Sequence, residues 1–217
     1  MARVIRLNSS SGGAATAASI SLADVEEAFS LPKHIETISV VSGAPQSAIE
    51  FKNLDTRTYE HFKIVCSRVK TSANSSYLWF GGMVGSTRTT TQNWSSIGKY
   101  FSTQWTTNTT GEMRTFAANS STADLDAQNS YGMIEWNIYF PHPDQDATVS
   151  RKFLGNFYKW TADIGQQSQS GYFQFISEPS AVQDGFYFRP QTGSFEQDQG
   201  MDSLFSIYGT KRRAAAA

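Results

Sequence analysis

The sequence is poor in cysteine and in long apolar runs, and both shortages limit what the protein can be. Its single cysteine, Cys66, excludes an intrachain disulfide. Because Cys66 lies in the apolar run 62–66, we interpret it as a buried core residue and not as a nucleophile. No stretch approaches the roughly 18 apolar residues of a membrane span, and the N-terminus lacks the apolar core of a signal peptide. We therefore expect a protein made in the cytoplasm, neither secreted nor inserted into a membrane.

Charged residues are also scarce, at 17% of the chain, and 18 Lys and Arg against 19 Asp and Glu leave a net charge of −1. Proteins that bind nucleic acid over a broad surface carry a basic excess, so we expect no nucleic-acid partner. The histidines, His34, His61 and His142, have no metal-ligand spacing. The nucleophile elbow, the dinucleotide fingerprint and the P-loop are missing too. These absences predict a protein that is not an enzyme and holds no cofactor or metal.

The acidic residues are the remaining candidates for metal binding or hydrolytic catalysis. Close aspartate pairs in polar segments could hold calcium together with backbone carbonyls. The pairs are Asp124 with Asp126, Asp144 with Asp146, and Asp198 with Asp202. Each pair lacks the further acidic ligands of a dense calcium loop, so we interpret all three as solvated turn residues. Glu135 has no identifiable second carboxylate to oppose it, which a glycosidase needs, and we assign it no catalytic role.

The chain is rich in Ser (28 residues), Thr (20 residues) and aromatics (13%). Thr and aromatics favour strands, whereas Ser, Asn and Gly favour turns. Apolar residues recur with period two, which predicts strands at 38–41, 48–51, 59–69, 77–80, 100–105, 113–117, 133–140, 152–161, 172–176, 185–188 and 203–208. The polar segments 85–98 and 119–130 predict loops, and Gly81-Gly82 predicts a turn or bulge. Because no helix separates the strands, we predict an all-β fold, an antiparallel β-sandwich of jelly-roll type.

The apolar strand positions also predict the core. The expected core residues are Ile64, Cys66, Ile134, Ile138, Phe205 and Ile207. Among the tryptophans, Trp79, Trp136 and Trp160 are expected to fill the core as well. Trp94 stands in the polar segment 85–98, so it is the candidate for an exposed ligand contact, such as stacking on a sugar ring.

The two ends of the chain differ from the middle. Residues 1–35 are predicted to form a flexible arm with one short helix, which Ser21 caps and Pro32 ends. The helix has an apolar stripe of Leu22, Val25 and Phe29, which must be covered by the protein's own sheet or by a neighbouring subunit. Residues 36–211 are the predicted sandwich domain. Residues 212–217 are predicted to be a disordered tail, in part a cloning remnant.

Five segments of the chain together carry a resemblance to a known family. They are Ile49-Glu50-Phe51-Lys52-Asn53-Leu54-Asp55, Tyr59-Glu60-His61-Phe62-Lys63-Ile64-Val65, Tyr77-Leu78-Trp79-Phe80-Gly81, Gly193-Ser194-Phe195 and Leu204-Phe205-Ser206-Ile207-Tyr208-Gly209-Thr210-Lys211. In these segments the chain resembles tailed-bacteriophage virion proteins. The resemblance spans roughly residues 49–211. Its residues have packing and turn roles, so it speaks to fold, and no catalytic residue comes with it.

The resemblance implies a β-sandwich in a phage virion, made in the host cytoplasm and used as a tail fibre, an appendage or a capsid decoration. The expected partners are other virion proteins and further copies of this chain, as a homotrimer with the arm at or near the contacts. The alternative function is a carbohydrate-binding or host-receptor adhesion module, whose partner is a glycan of the host surface.

Overall fold

The computed structural model describes residues 31–73, 78–89, 93–100, 103–110, 112–114, 132–140, 153–161, 167–176, 182–197 and 200–212. These residues form strands β1 (Lys33–Val40), β2 (Ile49–Phe51), β3 (Tyr59–Thr71), β4 (Leu78–Val84), β5 (Thr87–Arg88), β6 (Asn93–Tyr100), β7 (Thr103–Thr110), β8 (Met113–Arg114), β9 (Gly132–Tyr139), β10 (Phe153–Thr161), β11 (Gln167–Ile176), β12 (Gly185–Pro190), β13 (Phe195–Glu196) and β14 (Ser203–Lys211). The described part of the chain is thus all-β, as predicted.

The strands form two antiparallel sheets. The large sheet has nine strands in the order β1-β14-β3-β9-β10-β11-β6-β7, with β13 paired to β3 beside this path. The small sheet has five strands in the order β2-β12-β4-β5, with β8 also paired to β4. One apolar core contains residues of both sheets, so the arrangement is consistent with a β-sandwich.

Strand alternation explains which side chains reach that core. In β3 the even positions Phe62, Ile64 and Cys66 are fully buried and the odd positions between them are only partly buried. The same alternation holds in β9 and β14. All six residues predicted as core from the apolar strand positions have 0% exposure, so that prediction is confirmed.

Aromatic rings join the two sheets across the core. The rings of Phe80 on β4 and Trp136 on β9 stack with their centroids 4.5 Å apart. Phe62 on β3 meets Phe186 on β12 at 6.2 Å. Such contacts add to area burial, and they fix the small sheet against the part of the large sheet formed by β3 and β9.

A bulge bends the long strand β3. Between Cys66 and Val69 the register to β9 shifts by one residue, and Arg68 adopts a left-handed φ of 55°. The Ser203 hydroxyl is buried there and lies 2.5 Å from the Arg68 carbonyl oxygen and 2.7 Å from that of Glu196. Bulges redirect strands in this way. Beyond this bulge, the end of β3 pairs with β13.

Two predicted loops or turns are strands instead. Segment 85–98 was predicted to be a loop, yet it contains β5 and most of β6. β6 contains Asn, Ser and Gly, which favour turns, and shows no regular apolar alternation, which is why the pattern missed it. Gly81-Gly82 lies inside β4, paired with Tyr187 and Phe186. A side chain at Gly81 would occupy the space of the Tyr187 ring, so Gly81 serves close packing and not a turn.

The predicted helix in residues 21–30 lies outside the described residues. The tail was predicted to begin at residue 212, but Arg212 is anchored to the fold. Its backbone N–H donates to the Thr58 carbonyl at 2.9 Å, and its guanidinium donates to the Phe140 carbonyl at 2.6 Å. Among the residues described, no helix is long and apolar enough to cross a lipid bilayer.

Candidate functional site

The outer face of the large sheet carries a polar and aromatic patch on β3 and β9, which we call the His61 patch. It consists of His61, Lys63, Glu135, Asn137 and Tyr139. The residues meet because β3 and β9 pair with His61 opposite Tyr139 and Lys63 opposite Asn137. The rings of His61 and Tyr139 stack at 4.4 Å with an interplanar angle of 11°. Tyr139 keeps 42% of its surface exposed, so a ligand in solution can reach it.

Electrostatics hold the polar half of the His61 patch together. Lys63 Nζ lies 2.9 Å from Glu135 Oε2, and Asn137 Nδ2 donates to Glu135 Oε1 at 3.2 Å. Partial burial alone would raise the pKa of Glu135, but the hydrogen bonds from Lys63 and Asn137 outweigh it and lower this pKa. Burial also lowers the pKa of His61, so the imidazole is neutral at pH 7. The His61 patch therefore presents the Tyr139 ring, stacked on His61, beside the hydrogen-bonding groups of Glu135 and Asn137.

A second group of polar side chains lies on the outer face of the small sheet, and we call it the Tyr187 network. It consists of Glu50, Lys52, Trp79, Arg88, Glu112, Tyr187 and Arg189. At one end Glu50 accepts from Lys52 and from Arg88, each at 2.6 Å. In the middle, the Arg88 guanidinium lies 5.0 Å from the centre of the Tyr187 ring. In such a cation–π contact, the electron-rich face of the ring attracts the guanidinium cation.

At the other end of the Tyr187 network, Arg189 donates two hydrogen bonds to the carboxylate of Glu112. Arg189 Nε donates to Glu112 Oε1 at 2.6 Å, and its Nη2 donates to Glu112 Oε2. Burial first, and then the hydrogen bond to Glu112, raise the pKa of Tyr187, so its phenol stays protonated and donates to that carboxylate. The Arg189 guanidinium also lies 5.8 Å from the centre of the Trp79 ring. The network therefore links β2, β4, β5 and β12 to the residue preceding β8.

The Tyr187 network has a topological role. Arg88 ends β5, just before the β6–β7 hairpin, and Glu112 follows that hairpin. The hairpin itself pairs with the large sheet through β11. Charge-assisted and bidentate pairs are the stronger hydrogen bonds, so both connections of the hairpin to the small sheet are fixed.

The predicted tryptophan sites are distributed differently from expectation. Trp136 is fully buried, as predicted. Trp79 was predicted to be core, but it is only partly buried and lies under Arg189 on the outer face, because its position in β4 alternates with the core residues Leu78 and Phe80. Trp94 lies in β6, opposite Phe175 and Thr109, and not in a loop. The side chains of Trp94 and Trp160 lie outside the description, and the role of Trp94 in ligand contact stays a prediction.

Comparison with protein-family models finds no match for this chain. Comparison with curated proteins finds none either.

The aspartates and the cysteine considered above for metal or thiol chemistry lie only partly within the described residues. Most of the aspartate pairs lie outside the described residues, but Asp202 is described and accepts a hydrogen bond from Gln197 at 2.9 Å. Within the described ranges, no group of His, Cys, Asp and Glu is arranged to hold a metal ion. Burial raises the pKa of the Cys66 thiol, so this cysteine is a poor nucleophile.

Sequence reasoning missed both outer-face groups. Period-two alternation does predict that Lys63 and Glu135 point away from the core, since each alternates with buried residues. It cannot predict that they meet, because β3 and β9 are far apart in sequence and their register depends on the whole sheet. The ion pair between Lys63 and Glu135 is one such contact.

Proposed function

We propose that this chain is a non-enzymatic structural protein of a bacteriophage virion, an exposed fibre, appendage or capsid decoration. In this proposal the sandwich is of jelly-roll type, and residues 1–35 form an arm with a short helix. The bacteriophage part of the proposal comes from the resemblance of segments within residues 49–211.

One observation carries the proposal: the segments of the resemblance, although far apart in sequence, meet in one core. Phe195, of the Gly-x-Phe segment, packs on Phe205 of β14 with ring centroids 5.0 Å apart. Gly209, in the same strand, leaves room for Tyr59, since a Cβ there would lie 2.5 Å from Tyr59 Cδ1. Residues shared because they build one fold are expected to contact each other in this way.

The charged residues of the outer faces support a structural role. In both the His61 patch and the Tyr187 network, charged side chains pair with oppositely charged groups from other segments: Lys63 of β3 with Glu135 of the neighbouring β9, and Arg189 of β12 with Glu112, the residue before β8. Pairs that cross strands hold the strands in register, and a rigid sheet is what a particle component needs.

The proposal includes self-assembly as a homotrimer through the arm. Leu31 and Ile35, at the start of β1, are exposed apolar residues with 47% and 36% exposure, and the predicted helix with its apolar stripe directly precedes them. An apolar stripe and an exposed apolar strand start can cover each other within one subunit or between two. Light scattering of the full chain and of a form lacking residues 1–31 tests this: a trimer that falls to a monomer supports the arm contact.

The virion role is tested on the particle itself. Mass spectrometry of purified phage should find peptides of this chain, and gold-labelled antibody should mark a fixed position on the capsid or tail in electron micrographs. If purified particles lack this chain although the host lysate contains it, the proposal is refuted.

The exposed Tyr139 ring favours the adhesion function as a second candidate. Aromatic rings stack on sugars, and Asn137 and Glu135 beside the ring can hydrogen-bond to hydroxyl groups. A glycan array with the intact protein, Tyr139→Ala and Trp94→Ala tests it. Binding lost in Tyr139→Ala places the glycan on the His61 patch, and binding lost in Trp94→Ala places it on β6. Absence of binding by the intact protein rejects this candidate.

A further inference from the structure

Among the described strands, β7 is a long terminal strand of the large sheet, and its own sequence and pairing carry none of the usual protections of an edge strand. It has eight residues, and all eight pair with β6 without a register shift. Its sequence, Thr-Gln-Trp-Thr-Thr-Asn-Thr-Thr, contains neither charge nor proline. Natural edge strands are usually short, charged, bulged or interrupted by proline, because an open edge pairs with other chains.

The other terminal strand of this sheet is protected. β1 begins with Lys33 and contains Glu36, and its register to β14 shifts between His34 and Glu36. In the small sheet, β2 has three residues and β5 has two, too few for a stable additional strand. Among the described strands at sheet edges, β7 thus combines length, regular pairing and lack of charge.

We propose that β7 pairs with β7 of a second copy of this chain, antiparallel and about a two-fold axis. An antiparallel strand presents alternate N–H and C=O groups away from its neighbour, so β7 can accept one more strand. A two-fold axis keeps each face of the strand on the same side of the sheet, so a residue at the axis meets its own copy. Thr107 then lies opposite Thr107 of the partner subunit, and Trp105 opposite Thr109 of the partner subunit. No like charges meet across this axis, and Thr–Thr pairs are favourable in sheets.

The occupant is a second copy because the edge matches itself. A homotypic pair needs only one strand, whereas pairing β7 with β1 of another copy would place the regular edge against the bulged one. Isologous two-fold contacts are the commonest in soluble oligomers. This contact goes beyond the proposed virion role and is independent of the arm.

The test uses the full chain and two matched lysine variants. Thr107→Lys places two lysines next to each other across the proposed axis, and we expect it to weaken self-association about tenfold or more. Ser39→Lys places the same charge on an exposed position of β1 and should leave association unchanged. Light scattering over a concentration series measures both, after circular dichroism shows that each variant folds.

The mass separates this contact from the proposed trimer. If the arm makes trimers, the β7 contact joins trimers into hexamers or larger assemblies, and Thr107→Lys gives trimers. If the arm makes no contact, the intact protein is a dimer and Thr107→Lys a monomer. A fall of the mass to that of the trimer in the first case, or of the monomer in the second, therefore supports the β7 contact. A mass unchanged in Thr107→Lys, or halved in Ser39→Lys instead, overturns it.

Hydrogen exchange of the unmodified protein gives a second measurement. The amides of β7 that point away from β6 should exchange more slowly at high than at low protein concentration, while peptides of β1 should show no such dependence. Exchange of the peptide 103–110 that does not depend on concentration, across the range in which the mass doubles, would overturn the proposal.

Discussion

Replacing Ile138 with alanine tests whether the face of β9 that contacts the small sheet is assigned correctly. Ile138 has 0% exposure and lies opposite Phe62 of β3 and Gly155 of β10. The change removes three carbon atoms, which at about 0.8 kcal/mol for each buried methylene costs about 2.4 kcal/mol. The cavity that remains adds to this, so the free energy of unfolding should fall by about 2–5 kcal/mol.

Urea unfolding followed by tryptophan fluorescence measures this loss. Trp136 is a suitable reporter because it is fully buried on the same strand and stacks on Phe80. Met133→Ala is the matched control: Met133 lies on β9 with 53% exposure, and its truncation should change stability by less than about 0.5 kcal/mol. A loss below about 0.5 kcal/mol in Ile138→Ala, or an equal loss in both variants, would contradict the assigned face.

Three further predictions concern packing, pH and thiol chemistry. Gly209→Ala should destabilise by about 1–3 kcal/mol, because its Cβ would lie 2.5 Å from Tyr59 Cδ1; an unchanged urea midpoint would contradict this. The pKa of Glu135 is lowered from 4.5 in the folded state, so its contribution to stability is present above that value and is lost as the pH falls through the lowered pKa. Lys63→Met should flatten this acid dependence of the thermal midpoint, and an identical profile in both proteins would show that the pair is not its source. Cys66 should react with a thiol reagent only after unfolding, because it is fully buried. If Cys66 in the folded protein reacts as fast as a free small thiol, the site opens in the native state.

Local pattern predicted the strands whose two faces differ in environment. β3 and β9 alternate apolar with polar residues, so both their existence and their buried faces followed from the sequence. β6 and β7 were missed or cut short because Thr, Ser and Asn give no apolar period, although their backbones pair as regularly as any in the sheet. Strand propensity in such segments depends on neighbours that the sequence alone does not identify.

The candidate site was less predictable than the fold. The patch around His61 depends on the register between β3 and β9, and the network around Tyr187 gathers residues from strands that are distant in the chain. Arg88 and Arg189 stand in unremarkable sequence surroundings and gain their partners only when β12 lies beside β4. Residue type and spacing carry no signal for contacts of this kind.

The strand order has a consequence for synthesis on the ribosome. Among the described strands, β14 is the last in the chain, yet it lies between β1 and β3 in the large sheet. Until β14 leaves the exit tunnel, β1 has no neighbour in this sheet among the described strands, and the edge of β3 that pairs with β14 stays open. Pairing over such long sequence separations is slow and exposes apolar surface to aggregation. A transcript truncated before the codon for Ser203 would therefore yield a chain that cannot close its core and becomes a target for chaperones and proteases.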